Sequence, residues 1–128
     1  MAYTYDMEDA AKRHYDDGCT LAGGLRHDNA GYHFGLSVEC VIKQVLSRTY
    51  GLRPSDRAWW AHFPELRNVA ELFVSTRANA TLRRIIEDNS LMQEWDVTMR
   101  YSKNSSVPTS RATKWKNQAN SALGLLFE

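Results

Sequence analysis

Residues 29–49 constrain the fold more than any other stretch of the chain. Ala30, Phe34, Val38, Val41 and Val45 recur at the helical period, with Gly31, Gly35, Ile42 and Leu46 in a second line beside them. The pattern predicts a helix capped by Asp28 or Asn29 and running to about Thr49, with Gly51 as its stop. Glycine inside a helix costs up to about 1 kcal/mol relative to alanine. Gly31 and Gly35, one turn apart, therefore predict close approach by another backbone. The same helix carries Glu39 and Lys43 at i, i+4, an order that supports a helix as a plain surface pair. Charges beside a packing face cost desolvation unless something pairs with them.

Other segments repeat the helical signal. Met7, Ala10, Ala11, Tyr15, Gly18, Leu21, Ala22 and Leu25 predict a first helix over about 6–25, with Asp6, Glu8 and Asp9 at its positive end and Gly23-Gly24 near its stop. Residues 51–61 read as a loop holding Arg53-Pro54 and Trp59-Trp60. Pro64 suits a first turn ahead of Leu66, Val69, Ala70 and Phe73. A further short helix is expected over about 79–88, and Leu91, Met92 and Trp95 continue its apolar line towards Arg100. After a polar loop at 104–108, Thr109 or Ser110 is placed to cap a last helix with Ala112, Trp115, Ala119, Ala122 and Leu126 inward. No segment sustains strand alternation. The expected fold is all-α: one domain over 1–128, an antiparallel up-and-down four-helix bundle with one or two short extra helices.

Net charge is +1, so no whole-chain field draws the protein to nucleic acid or membrane. Its distribution is less even. Residues 1–30 carry six acids against three bases, a net of −3, and residues 100–128 carry five bases against one acid, a net of +4. The two ends are expected to attract one another, or the basic tail to meet phosphate. Cys19 and Cys40 lack zinc-site spacing and read as buried thiols of a reducing compartment. The four histidines form no metal pair, so neither a metal nor another cofactor is expected. Without an apolar leader or a bilayer-length run, the chain is expected to be cytoplasmic.

Several motifs stand together in order. Asn29-Ala30-Gly31-Tyr32 leads into Val38-Glu39-Cys40 and Lys43, a histidine-led helix follows from His62 to Phe73, and Glu94-Trp95 leads to Arg100-Tyr101. This arrangement resembles the HEPN (higher eukaryotes and prokaryotes nucleotide-binding) domains over nearly the whole chain. The resemblance implies a helical bundle that dimerises. Many HEPN domains are metal-independent endoribonucleases that pair an Arg with a His four to six residues later, the His moving protons and the Arg stabilising phosphorane charge.

Here Tyr101 to Val107 contain no histidine. The resemblance then implies a member that binds RNA or a nucleotide at a dimer groove without cleaving, in a toxin–antitoxin or defence module with a nucleotidyltransferase-like partner protein. A cleaving enzyme with a non-standard base, or a bundle that binds only protein, are the alternatives. The residues expected at the site are Arg100, Tyr101 and Lys103, with Glu39 and Lys43 nearby. Arg100 is the best catalytic candidate, and a structural pairing of Arg100 with Glu39 is the other expectation for it. His62 is a further candidate to approach the Arg100 end. Tyr101 has two readings, stacking on a base or burying its ring with the hydroxyl at the rim, and burial is the commoner outcome.

Overall fold

A computed structural model describes residues 3–74 and 80–128. Every regular element among them is helical. The first helix, α1 (Met7–Gly23), starts where Asp6 accepts a hydrogen bond from the Asp9 N–H at 2.9 Å. It stops at Gly24, whose N–H closes the last turn. A short connection through Leu25, held at φ 62°, returns the chain as α2 (His27–Tyr50). So brief a link makes the two helices antiparallel neighbours. The second helix ends at Gly51, where a φ of 78° favours a residue without a Cβ.

This second helix is the axis of the molecule. It touches α1, α3 (Glu65–Val74) and α5 (Thr109–Leu123), and α1 also meets α5. Phe34, Val38, Val41, Ile42, Val45 and Leu46 are all fully buried on it. Each such side chain contributes about 1.5–3 kcal/mol of transfer free energy. On the α1 side, Ser37 donates to the Ala11 carbonyl at 2.8 Å, and Gly18 leaves room for the Phe34 ring. α5 runs in the same sense as α2. Trp115 near its start lies over Gly31, and Arg48 near the end of α2 donates to the carbonyls of Leu125 and Leu126 just beyond α5. α3 packs with α4 (Ala80–Glu87), and the pair is tied by Arg67 donating to the Ile86 carbonyl and Arg83 to that of Val74.

The helical pattern is observed where it was strongest, and several expectations are corrected. α2 begins at His27, with Arg26 in the cap position and no side-chain cap, so Asp28 and Asn29 lie inside its first turn and do not cap it. α5 begins at Thr109 after Pro108, also without a side-chain cap, and Leu126 lies beyond it in a 3₁₀ turn (Gly124–Phe127). The 51–61 loop contains a 3₁₀ turn at Arg57–Trp60. Residues 88–96 form turns, with Met92 at φ 48° and Glu94 at φ 73°, so the apolar line into Arg100 is not one helix. The expected start at Asn79 lies outside the described residues. The acidic and basic ends form no ion pair among the described residues. Asp28 instead accepts the N–H groups of Ser105 and Val107 at 2.7 and 2.8 Å. Lys12 rests over the Phe127 ring at 5.4 Å.

Candidate nucleotide-binding face

The irregular segments climb one flank of α2 from its C-terminal half to its N-terminus. His62 is tied to Glu39, Trp95 to Gly31, Arg100 to Tyr32, and Ser105 and Val107 to Asp28. Trp95 is the wedge that fixes this order. Its indole N–H donates to the Gly31 carbonyl at 3.1 Å, its ring stacks on Tyr32 with 5.7 Å between centroids, and Phe63 meets it edge-on. Gly31 and Gly35 are therefore needed for indoles rather than for a neighbouring backbone. A Cβ on Gly31 would fall 2.8 Å from Trp115, and one on Gly35 would lie inside the Trp95 ring.

Directly after Trp95, Asp96 accepts from the Thr98 N–H and hydroxyl at 2.8 and 2.7 Å. Those bonds hold its carboxyl below the usual range and start the 3₁₀ turn Val97–Tyr101. The turn delivers Arg100 and Tyr101 to the surface. Arg100 has one long hydrogen bond, 3.4 Å to the Tyr32 hydroxyl, and its guanidinium lies 5.2 Å from the Tyr101 ring centre. Tyr101 is 79% exposed, against the expectation that it buries its ring. Lys103 stands on the following loop, exposed, with the loop pinned to the start of α2 by Asp28. Arg100, Tyr101 and Lys103 thus share one short exposed segment. A guanidinium has five N–H donors in a planar fork, and most of Arg100's face solvent.

Glu39 and Lys43 are placed differently. The expected pairing of Glu39 with Arg100 does not occur, because both Glu39 oxygens are already used. One accepts from His62 Nδ1 at 2.8 Å and the other from the Phe63 N–H at 2.7 Å, inside the protein. Nor is Glu39–Lys43 a surface pair. Lys43 is only 6% exposed, and no carboxylate pairs with its ammonium among the described residues. Burial lowers its pKa, and the nearby Glu39 charge opposes part of that shift. Burial likewise pushes the neighbouring Cys40 thiol up to about 11, so it stays protonated at neutral pH. Both cysteines are free and half-buried.

Two features here lay outside the expectations. His62 is held by a buried carboxylate, with its ring 43% exposed. His14 on α1 and His33 on α2 bring their Nδ1 atoms to 3.0 Å, next to Tyr32. Neither pairing leaves a trace in local sequence, since partners 19 and 23 residues apart meet only through the fold. Burial, His33 and Arg13 together lower the His14 pKa to about 4, with Asp17 opposing. A cavity of about 490 Å³ lies at the start of α2, lined by Arg26, His27, Asn29, Ser105 and Thr109, just past the Lys103 loop. No three potential metal-ligating side chains come together among the described residues, and no described helix is long and apolar enough to cross a membrane.

Comparison with protein families, characterised proteins and solved structures returns no match.

Proposed function

We propose that this chain is a HEPN-like helical domain that binds RNA or a nucleotide through the Arg100–Tyr101 face of α2. In this reading α1, α2, the α3–α4 pair and α5 are the four arms of the family's up-and-down bundle. Two copies pair so that their Arg100 side chains share a groove, and the domain works in a toxin–antitoxin or defence module beside a nucleotidyltransferase-like protein. One observation carries the proposal. Arg100 is an exposed guanidinium without a carboxylate partner among the described residues, on a turn that Trp95 and Asp96 hold in place. Such a group is pre-positioned to take two phosphate oxygens. Tyr101 beside it offers a ring face for a base.

The test is RNA and mononucleotide binding by the wild type and by Arg100→Ala, Tyr101→Phe and Lys103→Ala. Arg100→Ala should weaken binding about tenfold or more without loss of fold. Unchanged affinity in that variant would leave a purely protein-binding bundle as the better reading.

A second reading, cleavage, has His62 in its favour. Glu39 fixes this ring by Nδ1, leaving Nε2 as the atom able to move a proton. Tyr32 and Glu39 are seven residues apart on one helix, so the anchors of Arg100 and His62 are separated by about 10 Å along α2. Incubation with a mixed RNA pool in chelator decides. Products that vanish in His62→Ala establish the enzyme, and intact RNA establishes binding alone.

A further inference from the structure

The two loop tryptophans divide their work. Trp59 is 7% exposed and closes the core, whereas Trp60 is 58% exposed. The other two tryptophans, Trp95 and Trp115, are 2% and 1% exposed. Trp60 is not loose. Its indole N–H donates to the Pro54 carbonyl at 2.9 Å, which satisfies the ring's one polar atom. Tyr5 braces it edge-on at 5.9 Å between centroids, and Tyr5 is itself held against Trp59. The result is a braced, half-exposed ring with no donor left to offer.

Arg57 opens the 3₁₀ turn that ends at Trp60, and Arg53 precedes the Pro54 to which the indole is bonded; both are exposed and without a carboxylate partner among the described residues. Asp56, the acid between them, uses one oxygen to accept from the Arg53 N–H at 2.8 Å. Trp60 lies two residues before His62 and against Tyr5, just ahead of α1, whose start faces the C-terminal half of α2; this sets it beyond Glu39, away from Arg100.

From this juxtaposition we infer a second nucleic-acid subsite. Trp60, braced by Tyr5, stacks an unpaired base, and Arg53 and Arg57 hold the adjoining phosphates. An exposed aromatic ring on a segment that also carries exposed cations is the combination that sequence-tolerant single-strand binders use. A duplex keeps its bases stacked on one another and cannot use it. The inference rests on the RNA-binding reading above and makes it specific: the ligand is single-stranded, and it spans the few nucleotides between Trp60 and the Arg100–Tyr101 turn.

The test uses a short single-stranded oligoadenylate and a duplex of the same length. Binding is followed by tryptophan fluorescence and, independently, by anisotropy of labelled RNA. Saturable quenching of the exposed, red-shifted part of the emission is expected with the single strand and not with the duplex. Trp60→Leu should abolish the quenching and weaken anisotropy-measured affinity about tenfold. Trp60→Phe, which keeps a ring but no indole, should retain most of the affinity. Melting temperature of each variant reports whether it folds.

Labelled RNA bound by Trp60→Leu as tightly as by wild type overturns the subsite and leaves the Arg100 reading intact. Wild-type protein that binds no RNA at all overturns both. If Trp60→Leu abolishes self-association in sedimentation while RNA affinity stands, the patch is a contact between copies and the inference fails.

Discussion

At the scale of single residues, environment separates groups that look alike in sequence. Arg100 and Lys43 are both cations of the expected site, yet one is exposed and the other is sealed under the flank of α2. Arg100→Ala should therefore leave the denaturant midpoint almost unchanged while it weakens RNA binding, as denaturant titration and anisotropy will show. Glu39 is the converse. Glu39→Ala strands the buried Phe63 N–H and leaves the half-exposed His62 ring without its partner, and should cost about 1–3 kcal/mol in urea unfolding.

The His14–His33 pair gives a pH prediction. A 3.0 Å contact between two ring nitrogens needs one N–H and one lone pair, so a second proton is disfavoured. Besides His33, the groups that bear on His14 are Arg13 and Asp17 of its own helix. Because the folded pKa of about 4 lies below the ordinary 6.5, the unfolded chain takes up its proton first as pH falls. The stability is complete above pH 6.5 and is lost progressively between 6.5 and about 4. The loss should reach about 1–2 kcal/mol, reduced by the ring's open edge. Urea midpoints at pH 7.5, 6 and 5 should fall accordingly, and His14→Gln should flatten the trend.

At the scale of elements, α2 serves as a rail for everything outside the helices. Its small residues admit rings, and its polar residues receive the loops. Gly35 is the critical position. The Trp95 indole is bonded to Gly31 and stacked on Tyr32, so it has little freedom to give way. Gly35→Ala gains about 1 kcal/mol of helix propensity but forces a methyl into that ring. We expect a net loss of about 2–3 kcal/mol, read as a lower melting temperature. The same substitution should loosen the Val97–Tyr101 turn and weaken RNA binding even where the protein remains folded.

At the scale of the whole molecule, the asymmetry of the surface matters more than net charge. Arg53, Arg57, Arg100 and Lys103 all lie on the segments that climb α2, while the acids of α1 lie at its first turn and on its outer face. Binding through several such cations should fall steeply with salt, with a log–log slope of about −0.7 per phosphate neutralised on a single strand. The proposed pairing of two copies has its own measurement. Sedimentation at micromolar concentration should give the mass of a dimer, and a monomer there would remove the shared groove.

Much of the helical skeleton could be read from the chain, because apolar spacing, Gly51 and the acidic first turn of α1 act within a few residues of themselves. Trp115 was legible as core for the same reason; Trp95 is buried as expected, but from a turn and not from the helical stripe read for it. The sequence likewise placed Arg100 and Tyr101 just ahead of a polar loop. It did not disclose that Glu39 belongs to His62, that His14 meets His33, that Trp59 and Trp60 face opposite ways, or that Gly31 and Gly35 admit indoles. Helix formation depends on near neighbours and leaves a periodic imprint. A buried carboxylate's partner, a proton shared by two imidazoles and the exposure of an indole depend on segments tens of residues apart, and only the packing of those segments around α2 decided them.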